Sequence, residues 1–271
     1  MNTMKQVVLI LIVAFFLFIF HSCNKKVEFK DSLMEMNKPS YLLKDSNSWT
    51  SIDDNLFRLH VSNSIKDSEY PQKLQSVQQG IFKHLLKLME IENSIDSLPI
   101  IDIFIFKDIK EKYLKTQVKA SAHSLPSYYA AYYPTVNAEG AHEIAHILNS
   151  HYWCFFSNEK FKMLLNEGFS FYSDEGIIFE FDYYEKAREI LKDEECQVNR
   201  IITSTAGSSY GEQAYVSGAF VKYLIETYGI EKFKELWLLI NKEKADEKVF
   251  EVVYNNSIGK LESNFYQKIG V

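Results

Sequence analysis

The segment His142-Glu143-Ile-Ala-His146 constrains this chain more than any other part of its sequence. It lies in residues 140–151, whose pattern predicts a helix. On a helix, positions i and i+4 lie one above the other on the same face, so both imidazoles can reach one metal ion. The spacing therefore predicts one zinc ion bound by His142 and His146, with Glu143 beside it as the base that activates a water molecule.

A catalytic zinc also needs a third protein ligand and one open position for water, and two His with one Glu is a known solution. The run Leu165-Asn-Glu-Gly-Phe169 follows early in the next predicted helix. Together with the first motif it resembles the gluzincin metallopeptidases, in particular the M1-aminopeptidase-like group and its smaller bacterial peptidase MA-like relatives. The resemblance implies that Glu167 is the third zinc ligand. The nearby acids Glu159, Asp174 and Glu175 lack the surrounding pattern.

A third segment, Tyr215-Val-Ser-Gly-Ala219, is similar to the Tyr-x-x-Gly-Ala segment of the same family. In that family the Tyr hydrogen-bonds the oxyanion formed during attack, so the resemblance implies this role for Tyr215. Tyr210 and Tyr228 are alternative hydroxyls. The metzincin pattern does not fit, since it requires a His one residue later than His151.

The order of predicted elements is typical of an α+β fold. Strands are predicted over residues 55–61, 98–106 and 127–133, with a helix over 70–90 between the first two, and helices predominate after the metal motif. The resemblance implies a zincin-like peptidase domain with an N-terminal mixed sheet and a mostly helical C-terminal half. Because zincins pair an extended substrate with an edge strand, we expect Tyr128 to Tyr133 to form that edge. The alternative is an ordinary aromatic-rich core strand.

The N-terminal residues predict export. Lys5 precedes an uninterrupted apolar run of 14 residues, Val7 to Phe20, which is too short for a membrane span of roughly 20 residues and is typical of a secretory signal. Cys23 follows three positions after Phe20, as in the lipobox of bacterial lipoproteins, although Phe20 and His21 depart from its usual residues. We therefore expect a signal peptide over 1–22, lipidation of Cys23, a flexible tether over 23–50 and a metallopeptidase domain over 51–271.

The net charge and the cysteine content bear on two further properties, nucleic-acid binding and disulfide formation. Removing residues 1–22 leaves 29 basic residues of the original 30 against 36 acidic ones, a net charge of −7, so no nucleic-acid partner is expected. Cys154 and Cys196 remain in the exported chain, and both a disulfide and two separate thiols are compatible with the sequence.

The expected function is a zinc-dependent peptidase, exported and anchored through an N-terminal lipid on the periplasmic face or the cell surface. Its partners would be a peptide or protein substrate and the membrane. An endopeptidase is favoured, because the Gly-x-Met-Glu-Asn segment with which the aminopeptidases of the family bind a free amine is absent from the sequence. The alternatives are a zinc aminopeptidase and a zincin-like binding lipoprotein without catalysis.

Overall fold

A computed structural model describes residues 34–177, 182–192, 196–203, 210–242 and 245–271. The predicted signal peptide and Cys23 lie outside these residues. The fold is α+β, with a five-stranded mixed sheet followed by a helical C-terminal half, as the sequence predicts. Within the part of the chain described here, no helix is long and apolar enough to cross a bilayer.

The sheet has the strand order β1-β2-β3-β5-β4. Its central strands β2, β3 and β5 are parallel, and β1 and β4 are antiparallel strands at the two edges. The strands are Trp49–Asp53 (β1), Phe57–Ser62 (β2), Ile101–Phe106 (β3), His123–Leu125 (β4) and Ala130–Pro134 (β5).

The prediction that residues 128–133 form an edge strand is wrong. Ala130 and Ala131 belong to β5, which pairs with β3 on one side and with β4 on the other. The edge beside the metal motif is β4, which has only three residues, His123 to Leu125, and no β-branched side chain. A strand of three residues gives almost no recognisable pattern in the sequence, whereas the Tyr-rich segment of β5 does, so the sequence predicts the edge at β5 instead.

The helices cover the sheet and fill the C-terminal half. In chain order they are Pro39–Leu42 (α1), Tyr70–Leu88 (α2), Ile109–Thr116 (α3), His142–Tyr152 (α4), Gly168–Tyr172 (α5), Tyr183–Ile190 (α6), Val198–Thr203 (α7), Tyr210–Tyr228 (α8), Ile230–Ile240 (α9), Lys248–Tyr254 (α10) and Ile258–Ile269 (α11). A π-helical turn, Lys162–Glu167, leads directly into α5.

Side chains alternate across the sheet and divide the core in two. Ile103 and Ile105 of β3 join the main core, together with Leu85 of α2 and Ile144 of α4. On the other face, Phe104 and Phe106 pack with Tyr132, Trp49 and Leu42. Helix α4, which carries His142 and His146, thus packs on the main core, and this packing holds the helix in position against the sheet.

The described part of the predicted tether, residues 34–50, is structured. Leu42 and Trp49 are buried in the second core cluster. The Trp49 Nε1 donates to the Leu42 carbonyl at 3.1 Å, and the Asn37 Nδ2 donates to the Thr116 carbonyl at 2.8 Å. The tether prediction therefore does not hold for this part, because a few buried apolar positions outweigh a polar composition. β1 also begins before the predicted domain boundary at residue 51.

Candidate metal centre

Both His of the first motif lie on α4, one turn apart. Their Nε2 atoms are 3.2 Å from each other. The start of this helix is fixed by Asp174, whose Oδ1 accepts from the backbone N–H of Ala141 at 2.6 Å and of His142 at 3.1 Å. A carboxylate there satisfies donors that the first helical turn leaves unpaired and complements the helix dipole. Asp174 thereby holds the first His of the motif in place.

Glu167 approaches the two imidazoles from the π-helical turn that precedes α5. Its Oε2 lies 3.4 Å from the His142 Nε2 and 3.7 Å from the His146 Nε2. A tetrahedral zinc bound at about 2.0–2.1 Å requires neighbouring ligand atoms about 3.3–3.4 Å apart. The three distances of 3.2, 3.4 and 3.7 Å bracket that value. The two nitrogens and one oxygen therefore fit one zinc ion.

The second His is oriented through its other ring nitrogen. The His146 Nδ1 lies 3.3 Å from the Asn166 Oδ1 and 3.1 Å from the Ser170 Oγ. A proton on Nδ1 can be donated to either oxygen, which leaves the Nε2 lone pair free for a metal ion. The Asn of the Asn-Glu-Gly motif thus orients one ligand while the neighbouring Glu supplies another.

Without a metal, the ligands form an ion pair. Burial lowers the pKa of His142, but the hydrogen bond to Glu167 and the charges of Glu143, Glu167 and Asp174 raise it, to a net value of about 9. Burial alone would raise the pKa of Glu167, whereas both imidazoles hold it well below its usual range. Since a bound metal requires a neutral imidazole, a metal ion that binds near neutral pH would displace a proton from His142.

Glu143 lies beside the three ligands at the junction of two cavities. Its side chain is buried but lines both of them. One cavity, of about 320 Å³, lies along β4 and is bordered by His123 and Ser124. The other, of about 520 Å³, is bordered by apolar groups that include Val136 and Phe171. The carboxylate therefore faces space in which a substrate could lie on either side of the metal centre.

Two tyrosines of α8 differ in their relation to the centre. The Tyr210 hydroxyl donates to the Glu167 Oε2 at 3.1 Å, and the residue lines both cavities. Burial, and then the nearby Glu167 carboxylate, raise the pKa of Tyr210 above its usual range, so the hydroxyl remains a proton donor. The Tyr215 ring packs against Phe171 at 5.7 Å between centroids, and Phe171 in turn contacts the His142 ring at 4.9 Å. The role predicted for Tyr215 stays a prediction.

The glycines of the second and third motifs have a packing role. A Cβ on Gly168 would lie 2.8 Å from the Ser217 carbonyl oxygen, and one on Gly218 would lie 2.8 Å from the Tyr183 ring. At Gly168 the backbones of α5 and α8, and at Gly218 the backbone of α8 and the Tyr183 ring of α6, therefore approach each other more closely than a side chain would allow. This close packing holds the Glu167 segment against the helix that carries Tyr210.

The remaining candidates have other partners. The His151 Nδ1 lies 3.0 Å from the Tyr129 hydroxyl at the end of α4, in agreement with its predicted position outside the ligand set. Glu175 accepts from the Lys222 ammonium at 2.6 Å. Within the described ranges, Cys154 and Cys196 are not joined by a disulfide.

We compared the chain with models of known protein families and with curated proteins. No family model matches it, and no curated protein is significantly similar to it in sequence.

Proposed function

We propose that this chain is a zinc-dependent peptidase of the gluzincin type with a zincin-like fold. The observation that carries the proposal is the arrangement of the His142, His146 and Glu167 ligand atoms, whose spacing suits one tetrahedral zinc ion, with Glu143 beside them. Structural zinc sites are usually closed and rich in Cys, whereas three ligands and an adjacent carboxylate are typical of a catalytic site with one open position.

Zinc, when bound, would polarise the substrate carbonyl and lower the pKa of a coordinated water toward about 7. Glu143 would accept the proton of that water and return it to the leaving amine. The Tyr210 hydroxyl would donate to the developing oxyanion, because it is the phenol within hydrogen-bonding distance of the ligand set. Asp174 and Asn166 would keep the two imidazoles in position.

The substrate backbone would lie along β4. Among the described strands none pairs with the outer edge of β4, and His123 and Ser124 of this strand border the cavity that contains Glu143. An extended peptide can add to such an edge by main-chain hydrogen bonds. The strand that would bind the substrate backbone is thus β4, and not the segment that contains Ala130 and Ala131.

An endopeptidase is favoured over an aminopeptidase. The acidic residues that border the two cavities are Glu143, Glu167 and Asp174. Each of these would have a task already, as base, ligand or helix cap, so among the described residues of these linings no carboxylate is left to bind a free substrate amine. The two cavities also extend on both sides of Glu143, which suits a chain that continues in both directions.

The test is cleavage of two matched peptide mixtures by the zinc-loaded chain, read by mass spectrometry. One mixture has free N-termini and the other is N-acetylated. Internal cuts at equal rates in both mixtures would support the endopeptidase. Cuts confined to the free mixture would support the aminopeptidase, and binding of peptides without any cut would support the binding lipoprotein. Export and lipidation of Cys23 remain predictions from the sequence.

A further inference from the structure

The surface helix α3 turns polar side chains toward the core and large apolar side chains toward solvent. Its outward side chains Ile109, Tyr113 and Leu114 are 48%, 37% and 61% exposed, whereas Lys112 and Thr116 are fully buried. A surface helix normally turns its apolar stripe to the core and its polar residues to water. Three large apolar side chains on one short helix face therefore need another explanation.

Polar contacts prevent this helix from rolling over to bury its apolar residues. The Lys112 Nζ donates to the Ala120 carbonyl at 2.8 Å, and the Thr116 Oγ1 donates to the Lys112 carbonyl at 2.8 Å. The Asn37 Nδ2 donates to the Thr116 carbonyl at 2.8 Å. These hydrogen bonds hold the polar face of α3 toward the protein, so the apolar face points to solvent.

The surroundings of the apolar face are basic although the chain as a whole carries a net charge of −6. Lys107, Lys110 and Lys119 are exposed around it. The acids of the same segment are engaged: Asp108 accepts from the Glu111 N–H at 2.8 Å, and Glu111 accepts from the Ser62 hydroxyl at 2.7 Å. Both carboxylates keep their negative charge, but residues 107–119 contain five Lys against these two acids, so the net charge of this surface is positive.

The N-terminal segment enters the fold beside the same helix. The Lys115 Nζ donates to the Ser48 Oγ at 3.4 Å, which adds to the bond from Asn37 to Thr116. Met34, three positions before Asn37, is 41% exposed. Cys23, the predicted lipidation site, precedes Met34 by only 11 positions.

We infer that the outer face of α3, formed by Ile109, Tyr113 and Leu114 with Lys110 at its side, docks on an anionic phospholipid surface. Apolar side chains would enter the headgroup region while the lysines contact lipid phosphates, the combination by which basic amphipathic helices bind membranes. Charge complementarity and the entry point of the N-terminal segment favour a lipid surface over a protein partner. The inference does not rest on the proposed peptidase activity.

The test is photo-crosslinking of the full-length chain in vesicles. p-Benzoylphenylalanine is placed at Leu114 or, as the matched control, at Val252, which is 68% exposed on α10. The vesicles contain phosphatidylcholine with or without phosphatidylglycerol. We expect lipid adducts from the probe at Leu114 but not from the probe at Val252, and more of them when phosphatidylglycerol is present.

A second variant tests the charge contribution. A Lys near an anionic surface contributes about 1 kcal/mol, so Lys110→Gln should lower the lipid adduct at Leu114 by about fivefold. Equal lipid adducts at Leu114 and Val252 would overturn the inference. So would protein adducts alone at Leu114, no adduct at all, or an adduct that is indifferent to both phosphatidylglycerol and Lys110→Gln.

Discussion

At the residue scale, the open question is which hydroxyl acts at the metal centre. Tyr210 reaches Glu167 directly, while Tyr215 lies behind Phe171 in a ring contact. The two residues are five positions apart on α8, so one helix cannot turn both rings to the same point. The resemblance favours Tyr215, and the geometry favours Tyr210.

Paired Phe substitutions separate these assignments. We expect Tyr210→Phe to lower kcat by about 10²- to 10³-fold with little change in KM, because a donor to the oxyanion acts only in the transition state. Tyr215→Phe, which keeps the ring that packs on Phe171, should retain most of the activity. Steady-state kinetics on a single peptide measure both variants. The reverse ranking would return the role to Tyr215.

At the element scale, α5 and α8 make a close contact beside Glu167, the proposed third ligand. A methyl group on Gly168 would meet the backbone oxygen of Ser217 at 2.8 Å, and a backbone atom cannot move aside as a flexible side chain can. The Gly that follows Glu167 is therefore required by packing and not by the chemistry of the site.

Substitution of two helical glycines tests this explanation. We expect Gly168→Ala to lower the free energy of unfolding by about 1–3 kcal/mol through overpacking, and to weaken zinc binding because the Glu167 segment must shift. Gly80→Ala is the control: Gly80 is exposed within α2 with no atom near its added methyl group, and the change should stabilise by about 0.4–1 kcal/mol. Chemical denaturation and zinc titration compare them. Equal effects would reject the packing role.

Another prediction at this scale concerns the buried lysine of α3. Burial lowers the pKa of Lys112 from 10.5 to about 8, although the charge of Glu143 opposes the shift. The folded state thus binds its proton less tightly than the unfolded chain, and stability rises with pH between about 8 and 10.5.

The matched variant is Lys112→Met, which removes the titrating group and keeps an unbranched side chain. Relative to this variant, the wild type should gain up to about 3 kcal/mol of unfolding free energy between these two pH values. Denaturant titrations at several pH values measure the difference, in which tyrosine titration cancels. A difference that does not change with pH would contradict the burial of a charged group here.

Most of the helices and strands can be predicted from local sequence patterns. Where an element cannot be predicted in this way, there is a physical reason. The helix predicted over 70–90 is Tyr70–Leu88, because its apolar spacing agrees with its burial. α3 was missed because its buried positions are polar, and β4 because it has three residues. α11 lies in the half where helices are predicted, and Ser257 caps it.

At the scale of the whole molecule, the cluster of His142, His146 and Glu167 could be predicted because short motifs carry its residues, whereas the contacts that support it could not. Asp174 caps α4 from 32 residues away, and the Tyr210 hydroxyl meets Glu167 across 43 residues. No local pattern encodes either contact. Likewise, the structure of residues 34–50 depends on tertiary partners such as Thr116, which composition does not reveal.

The central claim is that one zinc ion and Glu143 together hydrolyse peptide bonds. Zinc content and peptide cleavage, measured on the same samples of wild type and Glu143→Gln, test it most directly. We predict one zinc per chain in both, with cleavage lowered by about 10²- to 10⁴-fold in the variant, because the ligands remain and only the base is lost. Equal cleavage by both proteins, or no cleavage by a folded wild type that contains zinc, would contradict the claim.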